Sequence, residues 1–228
     1  MEILQFDGRE TAIHSKGRGG PILVHLVDER AEAECRRMRD LIGRYAPGRP
    51  FTLVTVGSSD WSGDYSPWPT QVPDWGDFAG RGGETLSLLK EAILPKVDPE
   101  GTAARCIGGY SLAGLCALWI FYETGLFSGC AACSASLWFP GWLDYAGERP
   151  APVGSLLYLS LGKKEPQTHH PILSTIGDCL ARQTSLAQAD PNVRAVESVW
   201  NPGNHGTEAD VRMARGFAWL LERMDLPH

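Results

Sequence analysis

Apolar strand patterns and amphipathic helix patterns alternate along most of this sequence, and that alternation limits the possible folds more than any other feature. Continuous apolar runs predict buried strands at residues 22–27, 51–56, 104–110, 130–134 and 156–161. Two further strands are predicted at residues 1–6 and 192–200, and helices at residues 30–45, 84–93, 112–122, 171–186 and 208–224. The polar–apolar alternation of the last strand favours a sheet edge. Such an order predicts an α/β fold, a mostly parallel central sheet with helices on both faces.

The chain has the size of one α/β domain. It has 228 residues and contains no internal repeat, low-complexity tract or interdomain linker. We therefore predict a single domain over residues 1–228, long enough to bury a substantial core.

Charge and hydropathy exclude several classes of partner. The net charge is −6 and no run of Lys and Arg occurs, so a nucleic-acid partner is not expected. No stretch approaches the roughly 20 apolar residues of a membrane span. The N-terminus lacks a basic region followed by an apolar run, so no signal peptide is predicted.

The cysteines favour a cytoplasmic protein. Of six cysteines, Cys130 and Cys133 form a C-x-x-C string inside an apolar run, which invites a metal or redox interpretation. No second cysteine pair or nearby histidine cluster completes a zinc site. We therefore predict buried, reduced thiols, which suit the cytoplasm.

The segment CIGGYSLAGL at residues 106–115 places a serine between small residues, after an apolar strand and before an apolar helix. This is the arrangement of a nucleophile elbow, a tight strand–turn–helix that exposes a serine at the end of a sheet. Gly109 and Ser111 match the usual G-x-S-x-G string, but Ala113 fills its last small position, with Gly114 behind it. The alternative is a glycine-rich turn that merely contains a serine.

A serine hydroxyl needs a base within hydrogen-bond reach to act as a nucleophile at neutral pH. His205 lies in the turn-forming string NPGNHG directly after the last predicted strand, which makes it the candidate base. His169 and His170, which follow the strand at residues 156–161, are its competitors. The chain order serine, acid, histidine favours His205.

The acid is expected between the serine and the histidine in the chain. Glu165 lies four residues past the end of the strand at residues 156–161, where it can hold the imidazole tautomer and stabilise its positive charge. Asp178 and Asp190 lie in or after the next helix and are weaker candidates.

An oxyanion hole needs N–H donors aimed at the developing negative charge. The first expected donor is the backbone N–H of Leu112. The second is expected from the loop after residues 51–56, with Trp61 or Ser59 as the donor.

The substrate pocket is expected to use aromatic side chains. The loop at residues 57–83 is rich in Trp and Pro, and we predict that it forms one pocket wall. Trp68, Tyr110 and Trp138 are the predicted pocket residues. The alternative is that the tryptophans simply cover the edge of the sheet.

Together, the segments GYSLAGL around Ser111, SASLW at residues 134–138, SLGKKE at residues 160–165 and GNH at residues 203–205 resemble the α/β-hydrolase superfamily. More narrowly, the chain is similar to the esterase group that includes enterobactin (ferric siderophore) esterases, esterase D-like S-formylglutathione hydrolases, feruloyl esterases and mycolyltransferases. The resemblance covers residues 22–221. It implies an α/β-hydrolase fold without a large cap domain, with Ser111 as nucleophile, His205 as base and Glu165 at the acid position.

This resemblance implies a serine esterase that cleaves a small-molecule ester or thioester in two steps, with no metal and no organic cofactor. Three alternatives stay open: an acyltransferase using the same residues, a binding protein on a hydrolase fold, and a metal or redox protein based on Cys130 and Cys133.

Overall fold

The computed structural model describes residues 1–16 and 19–224. Its strands are β1 (Glu2–Phe6), β2 (Arg9–Lys16), β3 (Ile22–Leu26), β4 (Phe51–Val56), β5 (Pro69–Val72), β6 (Gly76–Ala79), β7 (Arg105–Tyr110), β8 (Gly129–Cys133), β9 (Ser155–Gly162) and β10 (Val193–Asn201). Its helices are α1 (Ala31–Tyr45), α2 (Trp61–Asp64), α3 (Gly82–Leu88), α4 (Leu94–Val97), α5 (Leu112–Glu123), α6 (Trp142–Gly147), α7 (Ile176–Ala189) and α8 (Ala209–Arg223). A π-helical turn, Leu89–Ile93, joins α3 to α4, and a 3₁₀ turn, Leu173–Thr175, precedes α7.

Eight strands form one sheet in the order β1-β2-β4-β3-β7-β8-β9-β10. Neighbouring strands are parallel from β4 through β3, β7, β8 and β9 to β10. The other two pairs of this sheet, β1 with β2 and β2 with β4, are antiparallel. The predicted mostly parallel sheet is confirmed, and β10 lies at its edge. Because the parallel strands point the same way, the loops that follow them meet at one edge of the sheet.

Helices cover both faces of the sheet, as the alternation of elements predicts. On one face, α1 and α8 enclose a core with the side chains of Leu23, Leu53 and Tyr158. On the other face, α3, α5, α6 and α7 enclose a second core. The helix α5 is apolar on all sides, and ten of its twelve residues are buried, so it is the central helix of that layer.

Two regions differ from the sequence-based expectation. Strand β2 was not predicted, because its residues are mostly polar; it joins β1 through Asp7 and Gly8, which both have positive φ (48° and 77°). Residues 57–83, expected as an irregular loop, contain α2 and the hairpin of β5 and β6. A hairpin limits the freedom of this segment and fixes where its aromatic side chains lie.

The two cysteines of the C-x-x-C string lie on opposite faces of the sheet. Cys130 belongs to the core under α5, whereas Cys133 belongs to the core under α8. Side chains three residues apart on a strand point in opposite directions, so these two thiols do not form a common site. All six cysteines are buried and free.

Within the residues that the structure describes, no helix combines the length and the apolar character needed to cross a membrane.

Candidate active site

Ser111 lies in the sharp turn between β7 and α5, at the carboxyl edge of the sheet. Its φ is 58°, a left-handed conformation that side chains other than glycine rarely adopt. Backbone bonds hold this turn: the Ser111 N–H donates to the Cys133 carbonyl at 3.1 Å. The Ser111 carbonyl in turn accepts from the N–H groups of Leu115 at 3.1 Å and Ser136 at 3.0 Å. Strain of this kind is typical of functional turns.

The small residues around Ser111 allow the strand and the helix to approach closely. A Cβ on Gly109 would lie 2.4 Å from the carbonyl carbon of Ala113, and one on Gly114 would lie 2.8 Å from the Gly109 carbonyl oxygen. The positions that need glycine are therefore 109 and 114. The methyl of Ala113 is fully buried in the core, which explains how this chain accommodates alanine in the last small position of the string.

His205 and Glu165 form a direct hydrogen bond. The His205 Nδ1 atom lies 2.8 Å from Glu165 Oε2. A carboxylate only accepts, so Nδ1 carries the proton and the Nε2 atom of a neutral imidazole is left as an acceptor. The imidazole is 53% exposed, whereas the Glu165 side chain is 6% exposed. The pair therefore joins a buried carboxylate to an accessible ring.

The second oxygen of Glu165 is surrounded by donors. Oε1 accepts from the Ser134 hydroxyl at 2.7 Å, the Gly162 N–H at 2.6 Å and Arg212 Nη1 at 3.2 Å. Burial raises the pKa of Glu165, but the hydrogen bonds from His205, Ser134 and Gly162 outweigh it and leave the pKa below its ordinary value. The carboxylate is therefore charged at neutral pH.

Arg212, on α8, connects the parts of this site, and its side chain is 2% exposed. Its Nη1 donates to the Tyr110 hydroxyl at 3.0 Å, and its Nη2 donates to the carbonyls of Pro202 at 2.8 Å and Asn204 at 3.0 Å. The Tyr110 hydroxyl donates to the His205 carbonyl at 2.5 Å. Burial raises the pKa of Tyr110 to about 12, so this phenol keeps its proton.

Sequence reasoning missed Arg212. The residue has no motif around it, and its only signal is helical phase: it lies four and eight residues before Gly216 and Leu220, which are both buried. A charged residue in phase with a buried stripe indicates a buried ion pair, but not its partner.

The loop between β4 and α2 is shaped by a second buried carboxylate. Asp64 Oδ2 accepts from the Ser59 N–H at 2.9 Å, the Ser59 hydroxyl at 3.1 Å and the Asp60 N–H at 3.1 Å. Arg9 pairs with its other oxygen at 3.0 Å. Both donors of Ser59 are thus occupied, which removes Ser59 as a candidate oxyanion donor. Trp61 begins α2, and its N–H belongs to the first turn, which lacks intrahelical acceptors.

This loop reaches Ser111 across the end of β3, which lies between β4 and β7 in the sheet. The buried Tyr65 hydroxyl lies 2.7 Å from the carbonyl of Val27 and 2.8 Å from that of Val56. Tyr65 therefore ties the segment over the ends of β3 and β4. The sequence predicts the position of this loop in the chain, but it does not predict that the loop crosses the end of β3.

A cavity of about 590 Å³ opens beside Ser111, and we call it the Ser111 cavity. Of the predicted site residues, Ser111, Leu112, Glu165, His205, Trp61 and Trp138 line it. The other lining residues are Ser62, Trp75, Phe78, Ser134, Ser136, Lys164, Thr168, Leu173, Ile176 and Asn204. The volume and the mixture of aromatic and convergent polar side chains are typical of a small-molecule site.

Two predicted pocket residues do not line the Ser111 cavity. Trp68 donates from Nε1 to the Pro140 carbonyl at 3.0 Å and packs against Phe139 and Tyr145, outside the cavity. Trp68 directly precedes the hairpin, whereas Trp75 lies in the turn between β5 and β6. Of these two tryptophans, only Trp75 lines the cavity beside Ser111. Tyr110 instead contacts the His205 loop, where its hydroxyl bonds the His205 carbonyl and Arg212.

Trp75 and Phe78, from the hairpin, line the Ser111 cavity, and both belong to the segment at residues 57–83 that the sequence predicts as a pocket wall. Trp75 packs against Trp138, with ring centroids 4.1 Å apart, and stacks on His170 at 5.7 Å. The His170 Nδ1 atom accepts from the N–H groups of Ile172 and Leu173, at 3.3 and 3.4 Å. His170 thus supports a turn and an aromatic wall, whereas His205 holds the carboxylate.

Among the residues that the structure describes, no group of three or more His, Cys, Asp and Glu side chains is placed to hold a metal ion.

Solved structures with this fold were found, although the sequence matches no family model and no curated protein sequence. Siderophore hydrolase EstB from Aspergillus nidulans is 16% identical with a TM-score of 0.75, over 100% of this chain and 96% of that one. An IroE-like serine hydrolase from Shewanella oneidensis is 18% identical with a TM-score of 0.77, over 95% and 77%. The enterobactin esterase FES from Shigella flexneri is 18% identical with a TM-score of 0.64, over 94% of this chain and 55% of that one.

At these identities, the similarity concerns the fold. The resemblance seen in the sequence is thereby confirmed at the level of architecture, with the sheet and helices of esterase-type enzymes. This chain has the α/β-hydrolase fold.

Proposed function

We propose that this protein is a serine hydrolase that cleaves a carboxylic ester or thioester through an acyl-enzyme on Ser111. The observation that carries the proposal is the bond between His205 Nδ1 and Glu165 Oε2, 2.8 Å long, beside a strained serine in the same cavity. A nucleophile, an oriented base and a buried acid are the three parts that such chemistry needs. The solved esterases with this fold support the reaction class.

In the first step, Ser111 Oγ attacks the ester carbonyl carbon while His205 Nε2 takes the hydroxyl proton. The backbone N–H groups of Leu112 and Trp61, at the first turns of α5 and α2, hold the oxyanion. Glu165 accepts the hydrogen bond from the Nδ1–H of His205 and stabilises the imidazolium. Collapse of the tetrahedral intermediate expels the alcohol or thiol, to which His205 returns the proton, and leaves the acyl group on Ser111.

In the second step, His205 takes a proton from a water molecule, whose oxygen attacks the acyl carbonyl. The second tetrahedral intermediate collapses, Ser111 recovers its proton from His205, and the carboxylic acid leaves. No metal and no organic cofactor takes part in either step.

The substrate is a small ester with an apolar or aryl portion. Trp75, Trp138 and Phe78 supply the apolar wall, and Lys164 is a lining cation. Esters of siderophores are one candidate class, because EstB is named as a siderophore hydrolase and FES as an enterobactin esterase. A thioester is another, because an S-formylglutathione hydrolase from Agrobacterium tumefaciens, 12% identical with a TM-score of 0.61, has the same fold. Because the part of the chain that the structure describes contains no large inserted cap, these aromatic side chains shape the pocket.

We further propose a cytoplasmic location and no nucleic-acid partner. The six buried, free cysteines suit a reducing compartment, and the net charge of −6 disfavours phosphate binding.

The test is a pair of assays on the wild type and on Ser111→Ala. We expect a fluorophosphonate probe to label the wild type but not the variant, and p-nitrophenyl ester turnover to fall on the order of 10⁶-fold. His205→Ala should be nearly as damaging, because the two residues act as one unit. Ser185→Ala, at an exposed position on α7, is the matched control and should change nothing.

Three results would change the proposal. Loss of activity in Ser136→Ala with activity retained in Ser111→Ala would move the nucleophile to Ser136. Absence of labelling in the wild type would indicate a binding protein. Ester products formed with an added alcohol, in preference to the acid, would indicate an acyltransferase.

A further inference from the structure

A second cavity lies beside the Ser111 cavity, between α1 and α8 at the carboxyl end of β3. Its volume is about 690 Å³, and we call it the His25 cavity. Trp61 lines both cavities, while His205 lines the first and Gly206 the second, so the His205 loop separates them. Of the residues that line the His25 cavity, the mechanism proposed above uses only Trp61 directly, and Tyr110 serves it by holding the His205 carbonyl.

The His25 cavity is electronegative. Four carboxylates line it, those of Asp28, Glu34, Glu208 and Asp210, against one lining guanidinium, that of Arg37. Arg37 is already paired with Asp210 at 2.6 Å. In the described part of the chain, the carboxylates of Glu34 and Glu208 have no ion-pair partner. A cation in this cavity is therefore attracted by charge that the protein itself does not neutralise.

Glu34 is the carboxylate best placed to hold such a cation, because it is only partly exposed on α1. Its pKa is raised chiefly by burial; the charge of Arg37 lowers it, and the nearby charges of Asp28 and Asp210 raise it. A ligand cation would relieve that repulsion. It would also interact with Glu34 more strongly than with a fully exposed carboxylate, because a partly buried site is less screened by water and salt.

His25 supplies an independent indication of a ligand. Its side chain lines the cavity, 4% of the residue is exposed, and the ring packs edge-on against Phe217 of α8 at 5.6 Å. The buried Nδ1 atom has no hydrogen-bond partner among the described residues. Burial lowers the pKa of His25 to about 4, so the ring is neutral at pH 7 and does not oppose a cation. Buried polar atoms without partners are uncommon in folded proteins.

The size and the walls favour an organic cation over a metal ion. No group of three metal-ligating side chains exists among the described residues, and the cavity is many times larger than a metal ion. Trp61, Met38 and Met213 give it apolar walls. An aromatic ring also attracts ammonium and guanidinium groups through its face.

We propose that the His25 cavity binds an organic cation, an alkylammonium or guanidinium group, with its charge held by Glu34 and its apolar part against Trp61. The cation is either a free amine or the basic end of an ester whose acyl group lies in the Ser111 cavity. The second source rests on the proposed function, whereas the binding itself does not.

Binding is tested without chemistry, by calorimetric titration of the full chain with phenethylammonium and with its neutral counterpart 2-phenylethanol. We expect the ammonium to bind about tenfold tighter, which corresponds to one partly buried charge interaction, and to weaken as salt is added. Glu34→Gln should remove most of that tenfold difference. Glu32→Gln is the matched control, since it removes the same charge from the same helix, outside the cavity, where Glu32 pairs with Arg36 at 2.6 Å.

The proposal is overturned if both compounds bind wild type equally, or if Glu34→Gln and Glu32→Gln weaken ammonium binding by the same factor. If Glu34→Gln does not fold, the wild-type affinities for phenethylammonium and 2-phenylethanol at low and high salt still test the site. Equal affinities at both salt concentrations would then reject the site.

The source of the cation is identified with two esters, p-nitrophenyl 6-aminohexanoate and p-nitrophenyl heptanoate. If the substrate supplies the cation, wild type should prefer the ammonium ester in kcat/KM and Glu34→Gln should lose that preference. An unchanged ratio together with phenethylammonium binding assigns the site to a free amine. Absence of turnover of both esters, with amine binding intact, rejects the proposed esterase activity but leaves the cation site standing.

Discussion

The nucleophile turn and the His205 loop face each other across the Ser111 cavity, yet they are held in different ways. Ser111 is fixed by its own backbone: its N–H and carbonyl are both hydrogen-bonded, and Gly109 lets α5 approach β7. His205 is fixed by side chains from other elements, with Glu165 holding its ring and Tyr110 its carbonyl. Arg212 joins those two side chains.

The difference shows what each half of the site depends on. The nucleophile turn is formed by consecutive residues and held by backbone hydrogen bonds, carries no buried charge, and depends on the absence of side-chain atoms at Gly109 and Gly114. The His205 side gathers residues between 7 and 102 positions apart in the chain, and it depends on compensating the buried charges of Glu165 and Arg212. A methyl added at Gly109 should therefore disrupt the nucleophile turn, and loss of the Arg212 guanidinium should disrupt the His205 side.

Arg212→Met should be the more damaging of these changes. It leaves Glu165 buried without its cation, and loss of one partner of a buried pair costs about 3–5 kcal/mol of unfolding free energy. Urea unfolding measures that loss. As a positioning residue, Arg212 should also affect the reaction: kcat should fall more than KM rises. The acid limb of the kcat/KM profile should move to higher pH, because the variant lacks a positive charge that opposes protonation of the His205–Glu165 pair.

Arg215→Met is the control for this prediction, since it removes the same charge from an exposed position on the same helix. It should leave the pH profile in place. If Arg212→Met only lowered stability, with an unchanged profile, Arg212 would belong to the core and not to the positioning of His205.

Gly109→Ala should come next in size, with a loss of about 1–3 kcal/mol of unfolding free energy, as expected for atoms forced into a packed site. The new Cβ would lie 2.4 Å from the carbonyl carbon of Ala113, which is backbone and has no rotamer to change. Activity should fall as well, because the turn that carries Ser111 must open. Thermal or urea unfolding with ester turnover measures both effects.

Ala113→Gly is the matched exchange at the partner position. It restores the usual small residue and should cost about 1–2 kcal/mol, from the entropy of glycine in a helix and the loss of one buried methyl, without the loss of activity expected of Gly109→Ala. Equal losses of activity in the two variants would contradict the assignment of the close contact to position 109.

Sequence reasoning reached the first half of the site and only part of the second. A buried strand, a serine between small residues and an apolar helix are local patterns, so the turn at Ser111 and the parallel sheet around it were predictable. Chain order was enough to pair His205 with Glu165 as candidates. Arg212 was not predictable, because helical phase indicates burial but does not say which charge a buried guanidinium meets.

The aromatic loop shows the same limit. Its composition predicted a wall of the pocket, and Trp61, Trp75 and Phe78 do line the Ser111 cavity. Which tryptophan faces Ser111 depends on the hairpin formed by β5 and β6, and Trp68 packs outside the cavity for that reason. Ser59 was an equally good oxyanion donor by sequence. It is excluded only because the buried Asp64 carboxylate, five residues later, accepts from both its N–H and its hydroxyl.

The smallest expected effect is a difference in how the two halves respond to acid. The pKa of Glu165 is below its ordinary value of 4.5 in the folded protein, although burial alone would raise it. Below pH 4.5 the unfolded chain therefore binds a proton that the folded chain does not, and the stability that Glu165 contributes is lost as pH falls through its folded pKa. Glu165→Gln lacks this contribution. Its deficit in unfolding free energy relative to wild type should shrink between pH 6 and pH 3, as measured by urea unfolding.

Gly109→Ala changes no titratable group, so its deficit in unfolding free energy should stay constant over the same range. His25 titrates in this range too, with a pKa of about 4, but it is present in wild type and both variants and cancels in the differences. A Glu165→Gln deficit that is independent of pH would mean that the folded protein does not favour the charged carboxylate, and the contrast between the two halves would then rest on packing alone.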